Sequence, residues 1–101
     1  MAKRIIWSKR AQSDRKEILK YFIRRNKSKE YSIKLNELFK DAINLIATYP
    51  TIGKQTDDKN TRIKIVRDYL MVYEIKEEQI IILTIWDSRQ NTEKLKKIHK
   101  K

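Results

Sequence analysis

Hydrophobic and polar positions change period once along the chain, near its middle. Arg4 to Trp7 is a short β-type run, and Ser8 behind it can cap a following helix. From Lys9 to about Arg25 the apolar positions Ala11, Ile18, Leu19, Phe22 and Ile23 form one stripe at helical spacing, with charges opposite. Asn26 to Ser28 is a polar turn, with Ser28 the expected cap of a second helix. That helix carries Tyr31, Leu35, Leu38, Phe39, Ala42, Ile43 and Ile46 three or four residues apart. It is expected to stop before Pro50, which disfavours helical geometry in the residue ahead of it. So short a turn predicts an antiparallel helical hairpin.

Beyond the one Pro and one Gly, both in Tyr49-Pro50-Thr51-Ile52-Gly53, the period becomes two. Lys54–Asn60 reads as a polar loop. Ile63 and Ile65 then alternate with Arg62, Lys64 and Val66, which predicts an apolar face and a cationic face on one strand. Asp68 marks a tight turn, Tyr69–Ile75 a strand, and Lys76-Glu77-Glu78-Gln79 a hairpin. Ile80–Trp86 is almost wholly apolar and β-branched, as in a strand buried on both faces. Asp87 to Asn91 ends it, and Thr92–His99 reads as a short basic helix. The expected order is β-α-α-β-β-β-α over residues 1–101: a single α+β domain with the hairpin packed on a mainly antiparallel sheet.

Composition narrows the chemistry. There is no cysteine and a single histidine, His99, so disulfides, thiolate metal sites, a Cys nucleophile and a Ser-His triad are excluded. No run of about 18 apolar residues predicts a membrane span, and the opening residues lack a secretory leader pattern. A cytoplasmic protein is the resulting expectation. The net charge of +12 is uneven: residues 1–40 hold 13 basic and 4 acidic side chains, net +9, while residues 61–91 are neutral and 92–101 add +4. A basic half and a basic tail suit a polyanion or an acidic protein partner.

Candidate chemistry centres on the sheet. Arg62 and Lys64 share one strand face, about 7 Å apart by strand rise. Arg67 ends that strand and Arg89 follows the buried one. Convergence of these cations beside Tyr69 or Tyr73 would grip a phosphodiester and offset charge developing in a cleavage transition state. Lys64, Tyr73, Glu74 and Asp87 are the side chains able to move protons there. The alternative is an exposed, solubilising sheet face over packed tyrosines. Asp57, Asp58 and Asp68 fit turns better than a metal site, so no metal and no small-molecule cofactor is expected. Trp7 and Trp86 fit packing roles.

Several strings, in order and spacing, resemble the RelE/ParE superfamily of type II toxins. They are Trp7-Ser8-Lys9-Arg10-Ala11, Glu17-Ile18-Leu19-Lys20-Tyr21-Phe22, Tyr49-Pro50-Thr51-Ile52-Gly53-Lys54, Val66 to Ile75, and Ile80 to Asn91. The resemblance implies a toxin silenced by a cognate antitoxin. Its target would be either messenger RNA on the ribosome, cleaved without a metal, or DNA gyrase, inhibited without nuclease activity. It matches Arg62, Lys64 and Arg89 to basic positions of the ribonuclease branch. Leu70, however, stands where that branch carries an arginine after the residue matched by Tyr69, which tilts the expectation toward gyrase. His99 is the only counterpart of the terminal acid used by some ribonuclease members. A non-toxic module that binds nucleic acid or antitoxin is the alternative from another class.

Overall fold

The computed structural model describes residues 3–90. The expected C-terminal helix, Thr92–His99, and the tail with His99 lie outside the described residues. The elements are β1 (Arg4–Trp7), α1 (Lys9–Asn26), α2 (Glu30–Thr48), a 3-10 turn at Pro50–Ile52, β2 (Lys54–Gln55), β3 (Thr61–Val66), β4 (Tyr69–Ile75) and β5 (Gln79–Asp87). The five strands form one mixed sheet in the order β1-β5-β4-β3-β2. Only β1 runs parallel to its neighbour, β5; the remaining pairs are antiparallel. The α+β class and the helical hairpin on the sheet agree with the pattern in the sequence.

Local signals explain the boundaries. Ser8 caps α1, its hydroxyl accepting from Ala11 N at 3.0 Å. Lys27 closes α1 in the left-handed region at φ 52°, a conformation that costs a non-glycine residue about 1 kcal/mol. Ser28 acts two residues ahead of the start of α2: its Oγ accepts from Glu30 N, while Lys29 occupies the cap position without a side-chain bond. Arg67 and Asp68 make the two-residue turn joining β3 to β4, with Arg67 at φ 57°. The loop Lys54–Asn60 contains a strand that periodicity did not signal, because two exposed polar residues carry no alternation.

The core lies between the hairpin and one face of the sheet. Ala11, Leu35, Phe39, Ile46, Met71, Tyr73, Ile80 and Ile82 are fully enclosed there. Burial of one such aliphatic side chain stabilises by roughly 1.5–3 kcal/mol. β5 is apolar on both faces, as its composition suggests, but its phase shifts at an irregularity opposite Val72/Tyr73. Ile80, Ile82 and Ile85 serve the main core, while Leu83 and Trp86 join Val72, Ile63 and Leu70 in a second cluster.

The faces of β3 are the reverse of what its isoleucines suggest. Arg62, Lys64 and Val66 stand opposite Tyr73, Met71 and Tyr69, all three of which belong to the core under the helices. The cationic face therefore turns toward α2. Ile63 falls in the second cluster and Ile65 is 63% exposed. Three large core residues of β4 set the register, and long basic side chains tolerate the inner face by laying their stems along it.

One edge of β5 is finished by a helix. β1 pairs with β5 only from Gln79 to Ile82. Past that point Ser8 N donates to Ile82 O and Ser8 Oγ to Leu83 O. The Asp14 carboxylate then accepts from Thr84 Oγ1 and from Ile85 N. Replacing Asp14 by Ala leaves a buried hydroxyl and an amide unpaired, so Asp14→Ala is expected to cost about 1–3 kcal/mol in urea denaturation. Unchanged stability would show that water satisfies this edge equally well.

Candidate functional site

The sequence-predicted cations are divided among the 3-10 turn (Arg62), a groove at α2 (Lys64 and Arg67) and a cleft at α1 (Arg89). Arg62 Nη1 donates to Thr51 O at 3.1 Å and to Gly53 O at 2.8 Å. Its guanidinium thus holds the 3-10 turn against β3, and its Nε is buried without a partner. Tyr73 serves the same segment from within the core. Its hydroxyl donates to Pro50 O at 2.6 Å and accepts from Gly53 N at 2.9 Å. Tyr73 is fully buried, and that burial raises its pKa against the lowering effect of the Gly53 amide. Arg62 and Tyr73, two of the side chains that sequence spacing offers for target contact, are therefore committed to the fold, and Tyr73 is no stacking platform.

Gly53 is required there by space. Its φ of −74° suits any residue. A Cβ, however, would lie 2.6 Å from the Tyr73 hydroxyl and 2.9 Å from Ile63 O. The hydroxyl and the strand carbonyl are both fixed by hydrogen bonding, so neither gives way cheaply.

Tyr69 is also core, 5% exposed, its ring edge-on to Phe39 at 6.0 Å between centroids. Burial raises its pKa, and the neighbouring Asp87 carboxylate adds to the effect. Tyr69 nevertheless borders an open cleft of about 410 Å³ between α1 and the end of β5. This cleft also presents Arg10, Asp14, Trp86, Asp87 and Arg89. The Arg10 guanidinium sits 5.8 Å from the Trp86 ring centre and 3.7 Å from the Asp14 carboxylate. The Trp86 indole N–H is buried without an acceptor.

Arg89 is exposed, and its guanidinium grips Asp87 through two bonds of 2.9 and 3.0 Å. Arg89 N donates to the same carboxylate, and Ser88 N to Asp68 O, so the end of β5 is folded onto the β3–β4 turn. The hydrogen bond from Arg89 holds the Asp87 carboxyl below the usual carboxylate range, against a smaller opposing effect of burial. Asp68 and Arg89 line one depression beside α1. Lys64 and Arg67 line a different groove, between α2 and β3, with Leu38, Leu45 and Ile65. Leu70 pairs with Ile65 and Trp86 and packs in the second cluster, on the sheet face away from Lys64.

Arg10, Asp14 and Trp86 are the site residues that sequence reasoning passed over. Asp14 had a signal: it falls on the Ala11–Ile18–Phe22 stripe of α1, a carboxylate on a face otherwise meant for burial. Its partner on β5 is 70 residues away and had none. Among the described residues, no three His, Asp or Glu side chains cluster in a way that would hold a metal ion. No helix among them is long and apolar enough to cross a membrane.

Two measurements test this geometry. Tyr73→Phe strands Pro50 O and Gly53 N and is expected to cost about 1–3 kcal/mol in thermal or urea unfolding. Gly53→Ala should cost a comparable amount or more through overpacking. Wild-type stability in both would remove the fastening role. In Arg89→Ala the Asp87 carboxyl loses its partner, so its pKa in a side-chain NMR titration should move up toward the ordinary carboxylate value. A value that stayed depressed would mean another group holds it.

Comparison with known proteins agrees with the fold. Among solved structures, the chain is similar to one described as the chromosomal ParDE TA system from P. aeruginosa. The TM-score is 0.71 at 14% sequence identity, with 85% of this chain and 96% of that chain covered. At that identity the likeness is one of fold. No curated protein matches the sequence. The family model that matches residues 5–92 is described as ParE toxin of type II toxin-antitoxin system, parDE. Spanning nearly the whole chain, that match places the protein in the ParE toxin family of type II toxin-antitoxin systems.

Proposed function

We propose that this toxin arrests growth by inhibiting DNA gyrase in the cytoplasm and is neutralised by a cognate antitoxin. The observation that carries the gyrase reading is the dispersal of the groups RNA cleavage would need. Lys64 lies in the α2–β3 groove, Arg62 is bonded to backbone carbonyls, and Leu70 packs on the far face of the sheet. Arg89 stands at the end of β5 with its charge shared by Asp87. Metal-free cleavage needs a base, an acid and phosphate-neutralising cations within a few ångströms of one reacting phosphate. A target bound by shape and charge makes no such demand.

Within this reading, exposed Arg67 and Arg89 are the groups presented to the target at one end of the sheet, and Lys64 flanks them along the groove. Tyr69 packs beneath that end, whereas Arg62 and Tyr73 fasten the Pro50–Gly53 segment toward the opposite end of β3. The antitoxin assignment rests on family membership and on the ParDE system named for the structural neighbour. The net +9 of residues 1–40 suits a partner with an acidic segment.

Induction of the chain alone in bacteria provides the test. Growth arrest with an SOS response and intact messages is expected. Arg89→Ala should restore survival at least tenfold without loss of folded protein. Truncated messages at codon boundaries without SOS induction would replace gyrase by RNA cleavage, and no arrest at all would overturn the growth-inhibition proposal.

A further inference from the structure

We propose that the outward face of α1 is a docking surface for the sugar-phosphate backbone of duplex DNA. At 100° per residue, Lys9, Lys16 and Lys20 fall within an arc of about 40°, and Arg24 about 40° further round. Along the axis they extend over about 22 Å. All four, and Lys27 just beyond, are exposed. The ion pairs among the described residues are Arg10–Asp14, Lys40–Glu37 and Arg89–Asp87, and none involves these five cations.

The placement does not serve the helix. The first turn of α1 contains no acidic residue, although its N-terminal end carries the positive pole of the helix dipole and favours anions. Lys16, Lys20 and Arg24 follow one another at intervals of four, a like-charge spacing that opposes helix formation. A solubilising face interleaves both signs. Of the two acids of α1, Asp14 is bonded to β5, and Glu17 stands at the flank of the stripe, about 20° beyond Arg24, where it borders the cleft beside Trp86. A charge array that destabilises its own helix gains most when an external polyanion neutralises it.

The shape selects duplex over single strand. Binding of a single strand uses a concave channel with aromatic rings for base stacking. Lys16 and Lys20 border a groove with Trp7, but Lys9 and Arg24 lie outside it, and the stripe itself carries no aromatic residue. Trp7 lies at its margin, with the Arg15 guanidinium 4.8 Å from the ring centre, and the Tyr21 hydroxyl accepts from Arg25 on another side of the helix. A rod of α-helix about 10–12 Å across matches the major groove, about 12 Å wide, between two rows of phosphates. Phosphate contacts carry no sequence information, so affinity comes from counterion release.

Fluorescence anisotropy of the full chain on a labelled 20-base-pair DNA, in salt from 50 to 200 mM, tests the surface. The variant Lys16→Gln/Lys20→Gln/Arg24→Gln is expected to bind at least tenfold more weakly at 50 mM. Its slope of log affinity against log salt should fall by about 2–3, since each lost phosphate contact removes about 0.9. Lys34→Gln/Lys54→Gln/Lys59→Gln removes the same charge from other exposed positions and should stay within twofold of wild type. Equal losses in the two triples would reduce the effect to net charge and overturn the surface. Tighter binding to a single-stranded RNA of the same length would overturn the duplex assignment, as would no binding to duplex at 50 mM salt. The outcome is independent of whether gyrase is the target, because gyrase is not in the assay.

Discussion

Nine consecutive residues of β5 need hydrogen-bond partners on both edges, and on one side β1 supplies partners for only four of them. An open edge in the middle of the main sheet would be a site of mispairing. Ser8 and Asp14 close it by continuing the ladder with a cap hydroxyl and a helix carboxylate. That requirement fixes where α1 begins and how it is rotated. Its Ala11–Ile18–Phe22 side turns inward, α2 follows through a three-residue turn, and the lysines are left facing outward. The cleft beside Trp86 is the space left between this helix and the end of the strand.

A second fastening holds the other side of the molecule. The single proline and single glycine sit where α2 must hand over to the sheet, and Tyr73 and Arg62 tie that segment down from inside. Two residues with apparent catalytic promise are consumed in this way. A half-buried arginine whose Nη1 meets two backbone carbonyls fastens the fold with charge-assisted bonds. The same side chain on an exposed strand would have been free to meet a phosphate. Bonding to the backbone, not residue type, separates the two roles.

The fold was legible because two different periods stand on either side of one Pro-Gly break. Ser8, Tyr69–Ile75 and the apolar run at Ile80–Trp86 each declared their element locally. The inner face of β3 was not legible, because Arg62 and Lys64 look solvent-facing until β4 sets the register through Tyr69, Met71 and Tyr73. β2 was too short and polar to show a pattern. The candidate site was harder still. Its cations could be named, but whether Arg62, Lys64 and Arg89 converge depends on strand order and on contacts between distant residues, which spacing along the chain does not encode. The pairing of Arg89 with Asp87 lay within reach, since Asp87 ends one strand and Arg89 follows it two residues on.

The toxin that emerges is a small scaffold with its cations distributed by task. Arg62 serves the fold, Arg67 and Arg89 mark one end of the sheet, and the lysines of α1 form a separate outward array. Such a distribution fits inhibition by binding better than chemistry at a phosphate. The most direct measurement is a supercoiling assay with purified gyrase beside a translation reaction charged with a defined message, each given the same purified chain. Loss of supercoiling with the message left intact is the predicted result. Cleavage of the message in the ribosomal reaction, with supercoiling unaffected, would contradict it.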